Sequence, residues 1–254
     1  MVNENIKKVL RPLFYWIEAR YYNFMGFLFR SKISDSKKIP IIINNRNRIT
    51  FLLELIKNLE KRGYFNIYII DNNSSYLPLL EYYKNCPYHV YRLDKNVGYL
   101  ALWKTDIYKT FIKDFYVYTD SDVVPIDECP DDFMDFFLTT IKKYKSVEKV
   151  GFSLKIDDLP DSFSKRNKVI EWEQRFYEKK VDELLYLAPI DTTFALYRPF
   201  INKEEKYSHQ TFRTAFPYSA RHLPWYIDSS NLTEEENYYI ENATTSTHWT
   251  LLNK

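Results

Sequence analysis

Four short apolar runs punctuate the first half of the chain at helix-length intervals: Ile39–Ile43, Asn66–Ile70, His89–Leu93 and Phe115–Thr119. Runs of this length, rich in β-branched and aromatic residues, read as strands. The intervals between them carry helix-spaced apolar faces at Phe51–Leu59, at Tyr99–Ile112 and, more weakly, at Leu77–Tyr83. Parallel strands need crossovers of about a dozen residues or more, so this alternation predicts βα units. Strands that are apolar throughout belong in a sheet covered on both faces. The expectation is an α/β, Rossmann-like fold with a mainly parallel sheet flanked by helices.

Ligands of such sheets sit beyond the carboxyl ends of the strands, and here every end is polar. The first strand runs into Asn44-Asn45-Arg46-Asn47-Arg48, the second into Asp71-Asn72-Asn73-Ser74, the third into Asp94-Lys95-Asn96-Val97-Gly98 and the fourth into Asp120-Ser121-Asp122. Asn and Asp are also ordinary turn formers, so each loop alone fits a plain turn. Together they fit one crevice. Residues i and i+2 of a strand point to the same side, which lets Asp120 and Asp122 converge if extended geometry persists through Ser121. Two carboxylates held so close repel unless a cation lies between them, and hard oxygen donors suit Mg²⁺ or Mn²⁺ with positions left for phosphate oxygens. The other reading is a strand end with two solvated acids. Asp71 has the chemistry to accept from a ribose or base, Arg48 to meet phosphate, and Gly98 to let backbone approach a ligand closely.

Composition narrows the class. At 254 residues, 45% hydrophobic and 28% charged, the chain can bury a sizeable core, and its 23 Tyr and 18 Phe make much of that mass aromatic. A net charge of +2 is too mild to point to nucleic acid, and no nucleic-acid partner is expected. Cys86 and Cys129 lie far apart without metal-type spacing, which fits a reducing compartment, so a cytoplasmic location is expected. Residues 1–38 form a separate segment with apolar positions Ile6, Leu10, Leu13, Phe14, Ile17, Tyr21, Phe24 and Leu28 at helical spacing, around Pro12. Residues 1–40 hold eight Lys or Arg against three acids, a basic amphipathic pattern. Such a helix lies either on the protein's own body or a second copy, or peripherally on the inner face of a membrane.

On these motifs the chain resembles the GT-A fold glycosyltransferases, in particular the large inverting family. Asn47-Arg48 with the helix that follows is similar to the Asn-Arg end of that family's first loop, whose Thr-Tyr half is replaced here by Asn45-Arg46. Asp71-Asn-Asn-Ser is similar to its Asp-Asn-Gly-Ser loop, Asn96-Val-Gly98 to its Asn-x-Gly loop, and Asp120-Ser-Asp122 to its metal motif. The resemblance covers residues 39–125. It implies a nucleotide-diphosphate sugar donor, with UDP favoured, and Mn²⁺ or Mg²⁺. It also implies that Asn45, Asn47, Arg48, Asp71, Asn96, Gly98, Asp120 and Ser121 bind the nucleotide sugar, and that Asp120 and Asp122 hold the metal. The domain reading is a catalytic unit 39–254, divided into a donor half 39–125 and an irregular acceptor half 126–254.

In that second half, Phe133–Tyr144 and Lys168–Lys180 read as helices, Lys149–Ile156 as a strand, and Leu184–Tyr197 as strand material interrupted at Pro189. Inverting transfer needs a base for the acceptor hydroxyl, and Asp191 and Glu173 are the candidates. Asp191 stands in an apolar stretch where burial is expected to raise its pKa. The family's Glu-Asp pair is absent at this place. His248 resembles the late histidine that many GT-A enzymes use as a metal ligand, and His222 is its rival. His222, Trp225 and Tyr226 are candidates for the acceptor, which the resemblance makes a glycan or lipid-linked hydroxyl. Two other readings stand beside this one. Tyr118-Thr-Asp-Ser-Asp-Val-Val124 also matches the strand and Asp-x-Asp of haloacid-dehalogenase-like phosphatases, and a non-catalytic binding protein can share the fold.

Overall fold

The computed structural model describes residues 33–191, 193–200 and 210–243, together with Leu13, Ile17, Arg20 and Phe24. The predicted strands form: β1 (Ile41–Asn45), β2 (Ile67–Asp71), β3 (His89–Arg92) and β4 (Tyr116–Asp120) pair in the order β3-β2-β1-β4, all parallel. Side chains alternate between two apolar layers. Ile41, Ile43, Ile69 and Val117 pack on one face, against α1 (Thr50–Lys61), α2 (Leu77–Lys84) and α4 (Phe133–Lys143), whereas Ile42, Ile70, Tyr116 and Tyr118 pack on the other. Ile41, Ile42 and Ile43 are all fully buried, which explains a strand without polar alternation. Burying each stabilises the fold by roughly 1.5–3 kcal/mol.

Beyond β4 the sheet ceases to be parallel. Its nine strands continue β10-β6-β11-β9-β8, from β10 (Ala195–Tyr197), β6 (Val147–Gly151), β11 (Gln210–Thr214), β9 (Leu185–Leu187) and β8 (Lys180–Asp182). β10 runs antiparallel to both β4 and β6, and β9 antiparallel to β11. The mainly parallel expectation therefore holds for the first four strands, and the whole sheet is mixed. A second, three-stranded sheet joins β5 (Val123–Pro125), β12 (Ser219–His222) and β7 (Ser153–Leu154), so the residues just after Asp122 pair directly with Ala220, Arg221 and His222.

Three further expectations need correction. The helix expected over Tyr99–Ile112 is a series of turns ending in a single-turn α3 (Tyr108–Phe111). Ala101, Leu102 and Trp103 are consecutive and all buried against the sheet, which one helix face cannot achieve. The strand expected over Lys149–Ile156 divides at Phe152 between the two sheets. The helix expected over Lys168–Lys180 is α5 (Arg166–Gln174) followed by one 3₁₀ turn and then β8. The last described helix, α6 (Glu234–Glu241), starts with a Thr233/Glu236 capping box. Of the segment 1–38, only Leu13, Ile17, Arg20, Phe24 and residues 33–38 are described, and those first four are helical.

Candidate functional site

The loops after β1 and β2 are built as one unit. Asn47 lies in the left-handed region at φ 53°, which Asn tolerates better than most side chains. That turn aims its Oδ1 at two backbone donors, Ser75 N (2.8 Å) and Tyr76 N (3.1 Å), while its own N–H donates to Ser74 Oγ at 2.9 Å. Asp71 is fully buried; its Oδ1 accepts from Ser74 N (3.3 Å) and its Oδ2 from Arg92 Nε (3.1 Å). The third loop hangs from Asn72, whose Oδ1 accepts from Val97 N at 2.9 Å and whose Nδ2 donates to Gly98 O at 2.9 Å. Asn96 Oδ1 accepts from Gly98 N, and Gly98 holds φ +83° with open space where a Cβ would stand. Of the residues expected to bind the nucleotide, Asn47, Arg48, Asp71, Asn96 and Gly98 thus lie on or at the start of three interlocked loops, while Asn45, Asp120 and Ser121 lie at the ends of β1 and β4. Asn45 and Ser121 serve the frame: Ser121 Oγ donates to Asn45 Oδ1 (2.7 Å), and Asn45 Nδ2 donates to the Tyr83 hydroxyl (3.0 Å).

The two aspartates sit at different points of the β4 turn. Asp120 ends β4 and accepts from Asn44 Nδ2 at 3.1 Å, whereas Asp122 lies beyond the turn with His222 Nε2 3.6 Å from its Oδ2. Asp122 Oδ1 and His222 Nδ1 are shielded from water and have no hydrogen-bond partner among the described residues. Groups so placed are costly unless something pairs with them. Burial pushes the His222 pKa down against the opposing pull of Asp122, so its imidazole is neutral near neutral pH and keeps a lone pair to donate. Two carboxylates and a neutral imidazole are the donor chemistry of a hard or borderline divalent ion. Their chemistry suits such an ion, but among the described residues no three His, Cys, Asp or Glu side chains close round one point. Donor phosphate and water would complete the set.

The sequence did not point to the helix that stands over this site. The Arg48 guanidinium lies 3.9 Å from the ring centre of Tyr239 on α6 and 4.7 Å from that of Phe51. Arg48 is buried, and its Nε has no hydrogen-bond partner among the described residues. Burial raises the Tyr239 pKa; Asp122 and Asp120 push it the same way, while Arg48 and Arg46 oppose them. One hydroxyl therefore feels both acids and both cations. Arg46 donates to Asn242 O (3.0 Å), and Glu235 takes the Ile49 and Thr50 backbone N–H groups at 2.7 and 3.1 Å. Tyr239 follows those loops by more than a hundred residues, and no local pattern ties it to them.

The candidates for base and acceptor contacts part company. Glu173 is buried and bound to Arg213 Nη1 at 2.5 Å, with both side chains at most 5% exposed. That oxygen is engaged in the core. Asp191 stands in the β9–β10 connection and is exposed, so the burial expected for it is not found. Its backbone carbonyl, with that of Ile190, accepts from the buried Lys149 ammonium at 3.2 and 2.6 Å. His222 lies in the fields of Asp122, Glu173 and Asp191, with Arg48 opposing them. Trp225 is buried edge-on to His222 at 4.7 Å, so it offers no open platform to a sugar. Tyr226 is half-buried, its hydroxyl 2.6 Å from Asp158 Oδ1 and 3.1 Å from Lys155 O. His248 lies outside the described residues.

No protein-family model and no curated protein matches the chain. Among solved structures, the chain is similar over 50% of its length to S. aureus TarS, at 20% identity and TM-score 0.33, spanning 24% of that protein. It is similar over 56% of its length to a cytidylyltransferase from Leptospira borgpetersenii, at 13% identity and TM-score 0.34, spanning 72% of that chain. It is similar over 80% of its length to GalNAc-T7, solved with UDP, GalNAc and Mn2+, at 11% identity and TM-score 0.40, spanning 47% of that chain.

Proposed function

We propose that this protein is a divalent-metal-dependent glycosyltransferase that moves a sugar from a nucleotide-diphosphate donor, UDP-linked in the favoured case, to a hydroxyl of a glycan or lipid-linked acceptor with inversion. The observation that carries the reading is the pairing of Asp122 with neutral His222, each with a buried, unpartnered polar atom, at the strand end that also holds Asp120. Beside them stand Arg48, with an unpartnered Nε, and the buried Asp71 loop. Asp120, Asp122 and His222 would hold Mn²⁺ or Mg²⁺, which supplies positive charge to the departing diphosphate. Arg46 and Arg48 meet phosphate oxygens, and Asp71, fully buried with its oxygens held by Ser74 N and Arg92, joins Asn47, Asn72 and Asn96 in keeping the loops in register for the nucleotide.

In the transfer, the bond between the anomeric carbon and the diphosphate oxygen breaks as the acceptor oxygen bonds from the opposite face. The acceptor proton passes to Asp191, whose exposed carboxylate is free of the ion pair that engages Glu173. The test is donor turnover by the full chain with UDP-sugars and Mn²⁺, read as UDP release and by the anomeric configuration of the product. Asp122→Ala and Asp120→Asn abolish it, and Asp191→Asn lowers it by about 10²–10⁴-fold. Turnover of simple phosphate esters with a trapped aspartyl phosphate on Asp120 would replace this reading with the phosphatase one. Nucleotide binding without any turnover would replace it with a binding protein.

A further inference from the structure

We infer that residues 1–32 dock the protein on an anionic lipid surface, a contact that does not rest on the transfer reading. Leu13, Ile17 and Phe24 are helical and exposed at 52%, 49% and 58%. Their spacing, with Arg20 between, sets them along one helix face. A helix seated on its own protein through that face would bury these three side chains. The sequence around them carries what a lipid surface selects. Trp16, Tyr15, Tyr21 and Tyr22 have rings with one apolar and one polar edge, which settle at headgroup depth.

Charge decides between the two occupants such a face can take. Residues 1–32 hold Lys7, Lys8, Arg11, Arg20, Arg30 and Lys32 against only Glu4 and Glu18. A second copy would bring two such basic segments together, at a cost, whereas anionic headgroups attract each one. The chain's total of +2 means that residues beyond this segment are on balance acidic, so the attraction is confined to this end and orients the body away from the surface. Glu18 and Arg20 interrupt the apolar residues of this segment, leaving no uncharged run near the roughly 18 residues that a span needs, so the contact lies in the interface plane.

The test uses the full chain in flotation with vesicles of phosphatidylcholine, alone and mixed with phosphatidylglycerol. The protein floats with the mixed vesicles, far less with the neutral ones, and high salt releases it. Leu13→Gln, Ile17→Gln and Phe24→Gln each weaken the partition about tenfold, and the triple variant stays at the bottom. Thermal unfolding and nucleotide binding of the triple variant match the unmodified protein, which separates a lost surface from a lost fold and from failure of the transfer reading. Equal flotation with both vesicle types, or a triple variant that floats normally, overturns the inference. So does a dimer in light scattering that the triple variant converts to monomer without any vesicle binding, which would assign the face to a second copy.

Discussion

Arg213→Met separates structural from catalytic acids in the second half of the chain. In the folded protein the Arg213–Glu173 contact is 2.5 Å, with side chains 4% and 5% exposed. Arg213 also donates Nε to Pro189 O at 2.8 Å and lies over the Phe176 ring at 4.1 Å. Methionine keeps the packing but strands a buried carboxylate, which costs about 3–5 kcal/mol, and the orphaned Pro189 carbonyl adds about 1 kcal/mol. At roughly 2–4 °C per kcal/mol for a chain this size, the midpoint of thermal unfolding followed by circular dichroism drops by about 8–24 °C. The double variant Arg213→Met/Glu173→Leu removes both charges and recovers most of that loss, because an apolar pair of similar volume replaces an ion pair at little net cost. Glu173→Gln keeps an acceptor for Arg213, so it melts between the two and, below its transition, transfers sugar at nearly the unmodified rate. The reasoning fails if Glu173→Gln melts normally while turnover falls about a thousandfold, since that is the signature of a lost general base.

The two glycines that differ most in surroundings give a second prediction. At Gly151 an added Cβ meets Phe194 O at 2.5 Å and Ala195 Cβ at 2.7 Å, so Gly151→Ala costs about 2–4 kcal/mol, while Gly98→Ala meets open space and costs only the strain of φ +83°, about 1 kcal/mol. Urea midpoints in the reverse order would refute the assignment. Glu235→Gln removes a charge from the N-terminus of α1 and loosens α6 over the site; it lowers stability by about 1–2 kcal/mol, with a smaller loss at high salt. His222 titrates below its ordinary value because burial disfavours the charged ring. The unfolded chain therefore binds more protons in the window below about 6.5, so His222's contribution is complete above that pH and is lost as pH falls toward the folded value. His222→Gln flattens the dependence of the melting temperature on pH across that window, and an unchanged slope would show that other groups carry it.

How much was legible in the sequence follows from which interactions are local. Each polar loop of the first half follows its own strand, so reading Ile39–Ile43 as a strand already placed Asn47 and Arg48 at a sheet end, and likewise Asp71 and Asp120. The apolar layers also follow from alternation along each strand, without knowledge of partners. Periodicity misled at Tyr99–Ile112, where helix-spaced apolar residues coincide with three consecutive buried ones that only irregular chain can place. The spacing was real, but packing against Tyr116 and Tyr118 overrode it.

In the second half of the chain the informative contacts are long-range, and an acid's neighbours decide its role. Glu173 and Asp191 look alike in sequence, as carboxylates among aromatic and apolar residues. The structure gives Glu173 a buried arginine forty positions away and leaves Asp191 exposed, on a loop whose backbone Lys149 holds. Likewise His222 gains significance only because β12 pairs with β5, which brings its ring beside Asp122 across the small sheet. That pairing is antiparallel and joins residues about a hundred positions apart, a register that no short motif encodes. The same holds for Tyr239, which reaches Arg48 from the last described helix. The polar loops of the first half are therefore written in consecutive residues, whereas the histidine beside Asp122, partly buried and held neutral, is supplied by tertiary pairing alone.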